Sequence, residues 1–284
     1  MGLNINGTKL LLWLRKEGVD LGSVITLGRQ RLNVTKRNLQ KNLNQFNYKA
    51  SAAELKAESN GYCEPFLRLL GASKADSIDV SDYEKATFIH DMNQPLPADL
   101  KGKYHTVIDS GSLEHVFNFP VAIKNCMEMV EVGGQFIGLT PANNFFGHGF
   151  YQFSPELYFR VFSKKNGFSI RKMIFFIDDA HTSFYEVSDP LEVKERVILN
   201  NTQPSFLFVW AEKIATENIF SETPQQSDYE HLVWQGKKGA AKLKRFVPKP
   251  LRKLPRPLRK FLEAISLSKN QVGTGDKRFF RKLF

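Results

Sequence analysis

The sequence predicts an α/β fold in which a mostly parallel sheet carries helices on both faces. Two observations lead there. Short apolar runs alternate with segments of helical periodicity, and several of the runs end in glycine or aspartate. With 284 residues, 42% of them hydrophobic and 24 of them Phe, the chain can fill the core of one large domain or of a domain with an appendage.

The elements follow in order. Val24–Leu27 reads as a first strand ending at Gly28, and the polar stretch 31–60 after it as an insertion containing helix and loop. Phe66–Leu70 reads as the last turn of a helix closed by Gly71. Ala75–Val80 is a strand ending in Ile78-Asp79, and Tyr104–Asp109 a strand with aspartate at its tip. Val116, Phe119, Ile123, Met127 and Val130 recur at helical spacing, with Pro120 in the first turn. Gly133-Gly134 breaks the chain before a strand over Gln135–Thr140. Ser154-Pro155-Glu156 has the order of cap, first-turn proline and first-turn acid, and opens a helix to about Gly167. Phe168–Ile177 and Ser205–Glu212 are the last strands.

Charge divides the chain. The whole carries a net +11, but residues 236–284 hold 16 Lys/Arg against 2 Asp/Glu, which leaves residues 1–235 at −3. The organisation expected is therefore an α/β domain over 1–235 and a basic, proline-containing tail over 236–284. Two cysteines, Cys63 and Cys126, exclude a disulfide framework and a cysteine-rich zinc site. They read as semi-buried thiols of a reducing compartment. The apolar run Leu10–Leu14 is too short for a signal-peptide core, and no stretch reaches the length of a membrane span. A cytoplasmic location is expected.

In a sheet of this kind ligands sit at the carboxyl ends of the strands, and three of those ends carry Gly28, Asp79 and Asp109. Each aspartate alone reads as a helix cap; the series reads as a ligand site. Residues 71–168 resemble a class I S-adenosylmethionine-dependent methyltransferase of the small-molecule type. The resemblance is carried by Ile78-Asp79, His90-Asp91-Met92-Asn93 with Pro95, Val107–Ser110, Ser112–Val116, Val132–Ile137 and Thr140-Pro141, in that order. It implies a Rossmann-like sheet closed by antiparallel last strands, with S-adenosylmethionine as cofactor. On that resemblance Asp79 would accept hydrogen bonds from the ribose hydroxyls. Asp91 would lie near the adenine amino group with Met92 against the ring. Asp109 and Ser110 would lie under the methionine part, and Gly28 would be the first glycine of the loop after the first strand.

That loop departs from the family pattern of an acid followed by G-x-G-x-G. Here it reads Thr26-Leu27-Gly28-Arg29-Gln30-Arg31. Either the 31–60 insertion rebuilds the pocket, with Arg29 pairing the cofactor carboxylate, or the site no longer binds the cofactor. Methyl transfer depends mainly on holding acceptor and methyl in line. A base is needed only for some acceptors, and His115, at the rim, is the candidate; its other reading is a helix-start residue packing locally. The loop 143–153 follows the fifth strand and mixes glycines, aromatics and amides. Asn144, His148 and Tyr151 are its candidate acceptor contacts, and an aromatic-packed structural loop is the alternative. The six histidines, at 90, 105, 115, 148, 181 and 231, show no paired ligand spacing, so no metal site is expected.

The tail alternates cations, leucines and prolines over 248–262, with a short amphipathic helix from Leu258 to Leu267. It reads as a contact for an anionic membrane surface at the inner face, with nucleic acid the weaker option and a solvated tail the plain one. The function expected is methylation of a sugar, glycan precursor or other small polar acceptor. The alternatives are an inactive methyltransferase-like binding module and an RNA methyltransferase using the tail.

Overall fold

The computed structural model describes residues 2–229 and 273–284. In chain order the elements are β1 (Gly2–Leu3), α1 (Ile5–Lys16), β2 (Ser23–Leu27), β3 (Arg31–Leu32), α2 (Lys36–Gln45), α3 (Ala52–Glu58), α4 (Glu64–Leu69), β4 (Lys74–Asp79), β5 (Phe88–Ile89), β6 (Tyr104–Ser110), α5 (Phe119–Met129), β7 (Val130–Asn143), α6 (Pro155–Val161), β8 (Phe168–Ile177), β9 (Tyr185–Val187), α7 (Pro190–Val193), β10 (Ser205–Lys213) and β11 (Phe280–Lys282).

The main sheet has the order β11-β9-β8-β10-β7-β6-β2-β4-β5. From β5 to β7 the neighbours are parallel; β10 lies antiparallel between β7 and β8. The chain leaves β2 toward β4 and β5, then returns to β6 on the other side. The order therefore reverses between β2 and β6, where a doubly wound sheet opens a crevice at its carboxyl edge. Register aligns that edge: Leu27 pairs with Ile78 on one side and with Asp109 on the other. Gly28, Asp79 and Ser110 thus emerge at one level. This is the Rossmann-like sheet with antiparallel closing strands that the sequence implied.

Two apolar layers hold the sheet. On one face α5 and α6 pack Ile123, Cys126, Met127, Tyr158 and Phe162 against Val107, Phe136 and Val209. On the other, α1 to α4 pack Leu10, Leu11, Leu14, Leu39, Leu43 and Phe66 against Val24, Ile108 and Ile137. The 31–60 insertion supplies α2 and α3, capped by the side chains of Thr35 and Ser51. Both cysteines are free and buried.

Three details differ from the sequence reading. Gly133-Gly134 lies inside β7 rather than before it. Gly133 has φ +84°, and a Cβ on Gly134 would stand 2.5 Å from the His105 carbonyl oxygen, so two strands pass too closely there for any side chain. The helix opened by Ser154 stops at Val161, and a single 3₁₀ turn, Lys164–Asn166, leads to Gly167 at φ +76°. The end of the basic segment is part of the fold. β11 pairs antiparallel with β9, and Phe279 and Phe280 are buried. Phe284 packs on Phe184 and Trp13. The rest of the tail, including 248–267, lies outside the described residues. Among the described residues no helix is long and apolar enough to cross a membrane.

Phe280 is 4% exposed and closes the core beside Phe175. Phe280→Ala should cost about 3 kcal/mol, read as a lowered urea midpoint at unchanged slope. A change within experimental error would detach the C-terminal strand from the fold.

Candidate active site

The site is built on the turn that follows β6. Asp109 is fully buried, and its Oδ1 accepts hydrogen bonds from the backbone N–H groups of Ser112 (2.9 Å) and Leu113 (3.3 Å). That bends Leu113–His115 into a 3₁₀ turn. Burial, then the neighbouring Glu114 carboxylate, holds the Asp109 carboxyl well above its ordinary range. Asp109 therefore acts as the cap that a lone strand-end aspartate suggests. It faces the interior. Ser110 points to the opposite face, 5% exposed, with its hydroxyl donating to the Gly2 carbonyl at 3.3 Å.

The turn ties down the loop after β2. Ser112 Oγ donates to the Leu27 carbonyl at 2.7 Å and accepts from the Gln30 amide at 3.2 Å. Gln30 also donates to the Leu27 carbonyl, and its Oε1, buried, has no partner within the described residues. Thr26, standing where the family pattern has an acid, donates to the Gly28 carbonyl at 2.8 Å and so fixes the turn from within. Gly28 has φ +66°. A Cβ there would come 3.3 Å from Ser112 Oγ, 3.6 Å from Asp79 Oδ2 and 3.7 Å from Gln30 Nε2. A hydroxyl, a carboxylate and an amide thus converge over one bare backbone position.

Arg29 does not join them. Its Nε pairs with Glu64 Oε1 at 2.6 Å, its Nη1 donates to the Glu84 carbonyl, and the guanidinium lies 3.9 Å from the centre of the Tyr62 ring. Its guanidinium is thus engaged by Glu64, Glu84 and Tyr62. Asp79 is half-buried; the Ser81 N–H reaches its Oδ1 at 3.4 Å. Beside it Val80 and Ile89 are exposed, and Ile89 is the strand partner of Asp79. Asp91 Oδ1 accepts from the backbone N–H and side-chain amide of Asn93, which holds its carboxyl below the usual carboxylate range. Met92 is buried, 7% exposed.

The same turn anchors the loop after β7. The Glu114 carbonyl accepts from the N–H of Phe150 (2.7 Å) and of Tyr151 (3.3 Å). Gly149, at φ +68°, lies so close that a Cβ would meet the Glu114 oxygen at 2.8 Å. His148 is thereby brought to the buried Glu114 side chain, with Nε2 3.4 Å from Oε1, and its ring meets the His115 ring edge-on at 4.9 Å. Burial raises the Glu114 carboxyl and, together with His148, lowers His115. One donor atom each from Glu114, His115 and His148 lie within 4.8 Å of one another. Histidines that show no paired spacing in the sequence thus converge beside Glu114.

Asn144 and Tyr151 serve the loop itself. Asn144 Nδ2 donates to the carbonyls of Asn201 and Gln203, and the Tyr151 hydroxyl donates to the Phe117 carbonyl at 2.6 Å. Tyr151 packs against Phe119 and Phe153. Of the three expected acceptor contacts, His148 alone is aimed at the rim cluster. The base of this loop, with Asn143, Gln152 and Phe153, lines a cleft of about 390 Å³ shared with Leu207 and Phe280. Sequence reasoning missed Gln30 and Ser112 as site residues, because their roles depend on contacts between loops.

No protein-family model matches the chain, and no curated protein matches it. Among solved structures it is similar to the N-methyltransferase NodS from Bradyrhizobium japonicum in complex with S-adenosyl-L-homocysteine: 10% identity, 73% of this chain, 86% of that one, TM-score 0.37. It is similar to TehB from Haemophilus influenzae at 13% identity, 72% and 61% coverage and TM-score 0.36. It is also similar to the branched-chain polyamine synthase from Thermus thermophilus at 12% identity, 78% and 61% coverage and TM-score 0.38. The chain thus spans about three fifths of the last two. Likenesses this distant say nothing about chemistry, which is left to the residues of the site.

Asp109→Ala removes the acceptor of two buried N–H groups and should cost about 2–3 kcal/mol in chemical unfolding. Asp109→Asn keeps an acceptor and should cost less. Equal, negligible losses for both would show that the turn does not depend on this side chain.

Proposed function

We propose that this chain is an S-adenosylmethionine-dependent methyltransferase acting on a sugar, glycan precursor or other small polar acceptor. The observation that carries the reading is the row of groups along the carboxyl edge at the reversal of strand order: Gly28, Gln30 and Ser112 after β2 and β6, Asp79 at the tip of β4, Asp91 and Met92 beyond it.

The residues present fit the group. The orphaned Gln30 Oε1 and the bare face of Gly28 are the features expected where a ligand ammonium and a ribose approach backbone. Asp79 has a carboxylate oxygen to offer two hydroxyls. Val80 and Ile89 give apolar surface for a base, with Asp91 beside Met92 at its far end. When bound, the cofactor supplies a methyl on a sulfonium. The chain's part is to hold it by its nucleoside end, to align an acceptor and to receive a proton where the acceptor carries one. The exposure of His115 at the rim and its ring contact with His148 support reading it as the group that takes that proton. The cleft beside the 143–153 loop is of the size that takes a sugar-like acceptor, with an apolar wall and the amides of Asn143 and Gln152. A cytoplasmic location, with the tail at the inner membrane face, remains part of this proposal and rests on composition alone.

Calorimetric titration with S-adenosylhomocysteine should show micromolar binding. Asp79→Ala, which removes charge-assisted hydrogen bonds, should weaken it about tenfold or more. A folded protein giving no heat at millimolar ligand would overturn the reading in favour of a binding module without methyl chemistry.

A further inference from the structure

We propose that Glu114, His115 and His148 form a binding site for a divalent transition-metal ion, with Zn²⁺ the best match to its donors. Two imidazole nitrogens and one carboxylate oxygen are a donor set that zinc sites use, with the remaining positions left open. The donor atoms lie within 4.8 Å of one another, so small side-chain rotations bring them to one centre. The two imidazoles are exposed and can turn; the carboxylate is fixed.

The arrangement has the marks of a built site. Glu114 is 1% exposed, and its Oε2 has no hydrogen-bond partner within the described residues. A buried carboxylate oxygen left bare is costly, and a cation relieves it. A second buried acid, Asp109, lies next to it. The ion-pair partner that the structure gives Glu114 is His148. Position is set by backbone rather than by the side chains themselves. Phe150 and Tyr151 donate to the Glu114 carbonyl, and Gly149 alone allows that approach, so His148 and Glu114 cannot drift apart without breaking the loop.

The open positions face the rim, where Phe117 and Phe150 are exposed. An ion there would take an oxygen donor from solvent or from a hydroxylated molecule. An acceptor hydroxyl bound to it would break its O–H bond more readily, the electron pair staying on oxygen and the proton passing to solvent. His115 is then a ligand rather than a free base. This last step, which makes the acceptor an oxygen nucleophile, rests on the methyltransferase reading; the ion site itself does not.

The test is titration of the chelator-treated full-length protein with Zn²⁺ by calorimetry and with Co²⁺ by visible absorption. One equivalent should bind with a micromolar or tighter dissociation constant. Zn²⁺ should shift the ring resonances of His115 and His148. His148→Ala, on an exposed loop, and His115→Ala should each weaken binding at least tenfold, while His181→Ala should leave it unchanged. Failure to bind at millimolar Zn²⁺, or an affinity in either histidine variant equal to that of the unsubstituted protein, would overturn the site. S-adenosylhomocysteine titrated into the same metal-free protein separates the two ideas. Homocysteine-adduct binding without Zn²⁺ binding removes the ion site alone, and the converse removes the methyltransferase reading alone.

Discussion

The two backbone hydrogen bonds accepted by the buried carboxylate of Asp109 hold the functional face together. They set the turn after β6, and that turn touches both other loops of the face. Ser112 reaches the Leu27 carbonyl and the Gln30 amide of the loop after β2. Glu114 binds the backbone and His148 of the loop after β7. Without the cap, Ser112 and Glu114 would lose their fixed origin, and the loops after β2 and β7 would lose their common reference. An interior carboxylate is a costly choice for this task. It persists because its oxygen satisfies two N–H groups that would otherwise be buried bare.

The loop after β2 has one glycine where the pattern it resembles has three. Extra glycines let backbone approach a ligand from several positions. Here Thr26 stiffens the turn from inside, Gly28 provides the one bare position, and the buried Gln30 amide ties the loop to Ser112 and to the Leu27 carbonyl. Arg29 is drawn outward by Glu64 and Tyr62 and closes the far side of the loop against α4.

What was legible in the sequence was whatever depends on neighbours along the chain. The strand over 168–177 is found at the expected bounds, and the strand ends at Gly28, Asp79 and Ser110 share one edge, with Asp109 one residue inside it. Helix α1 was not legible. Leu10, Leu11, Leu12 and Leu14 are all fully buried, so the segment lacks the polar face by which a helix announces itself. Strands β9 and β11 are three residues each and pair across a long separation; the positive charge around β11 masked the buried Phe279 and Phe280. The site divided in the same way. Asp79 and Gly28 carry a local signature, whereas Gln30 matters only because Ser112 lies over it. The meeting of His115 with His148 depends on Gly149 folding back on Glu114.

The two buried acids also set the polarity of the rim. Asp109 and Glu114 repel each other in a dry setting, and each would lower its energy by taking a proton or by facing a cation. Asp109 is sealed by the sheet and α5, so the route open to it is the proton. Glu114 sits one turn nearer the surface, where His148 already approaches it, so the route open to it is the cation. The sequence places the two acids five residues apart, and the 3₁₀ turn between them converts that spacing into different environments. One carboxyl caps the turn, and the other lies beneath the two imidazoles.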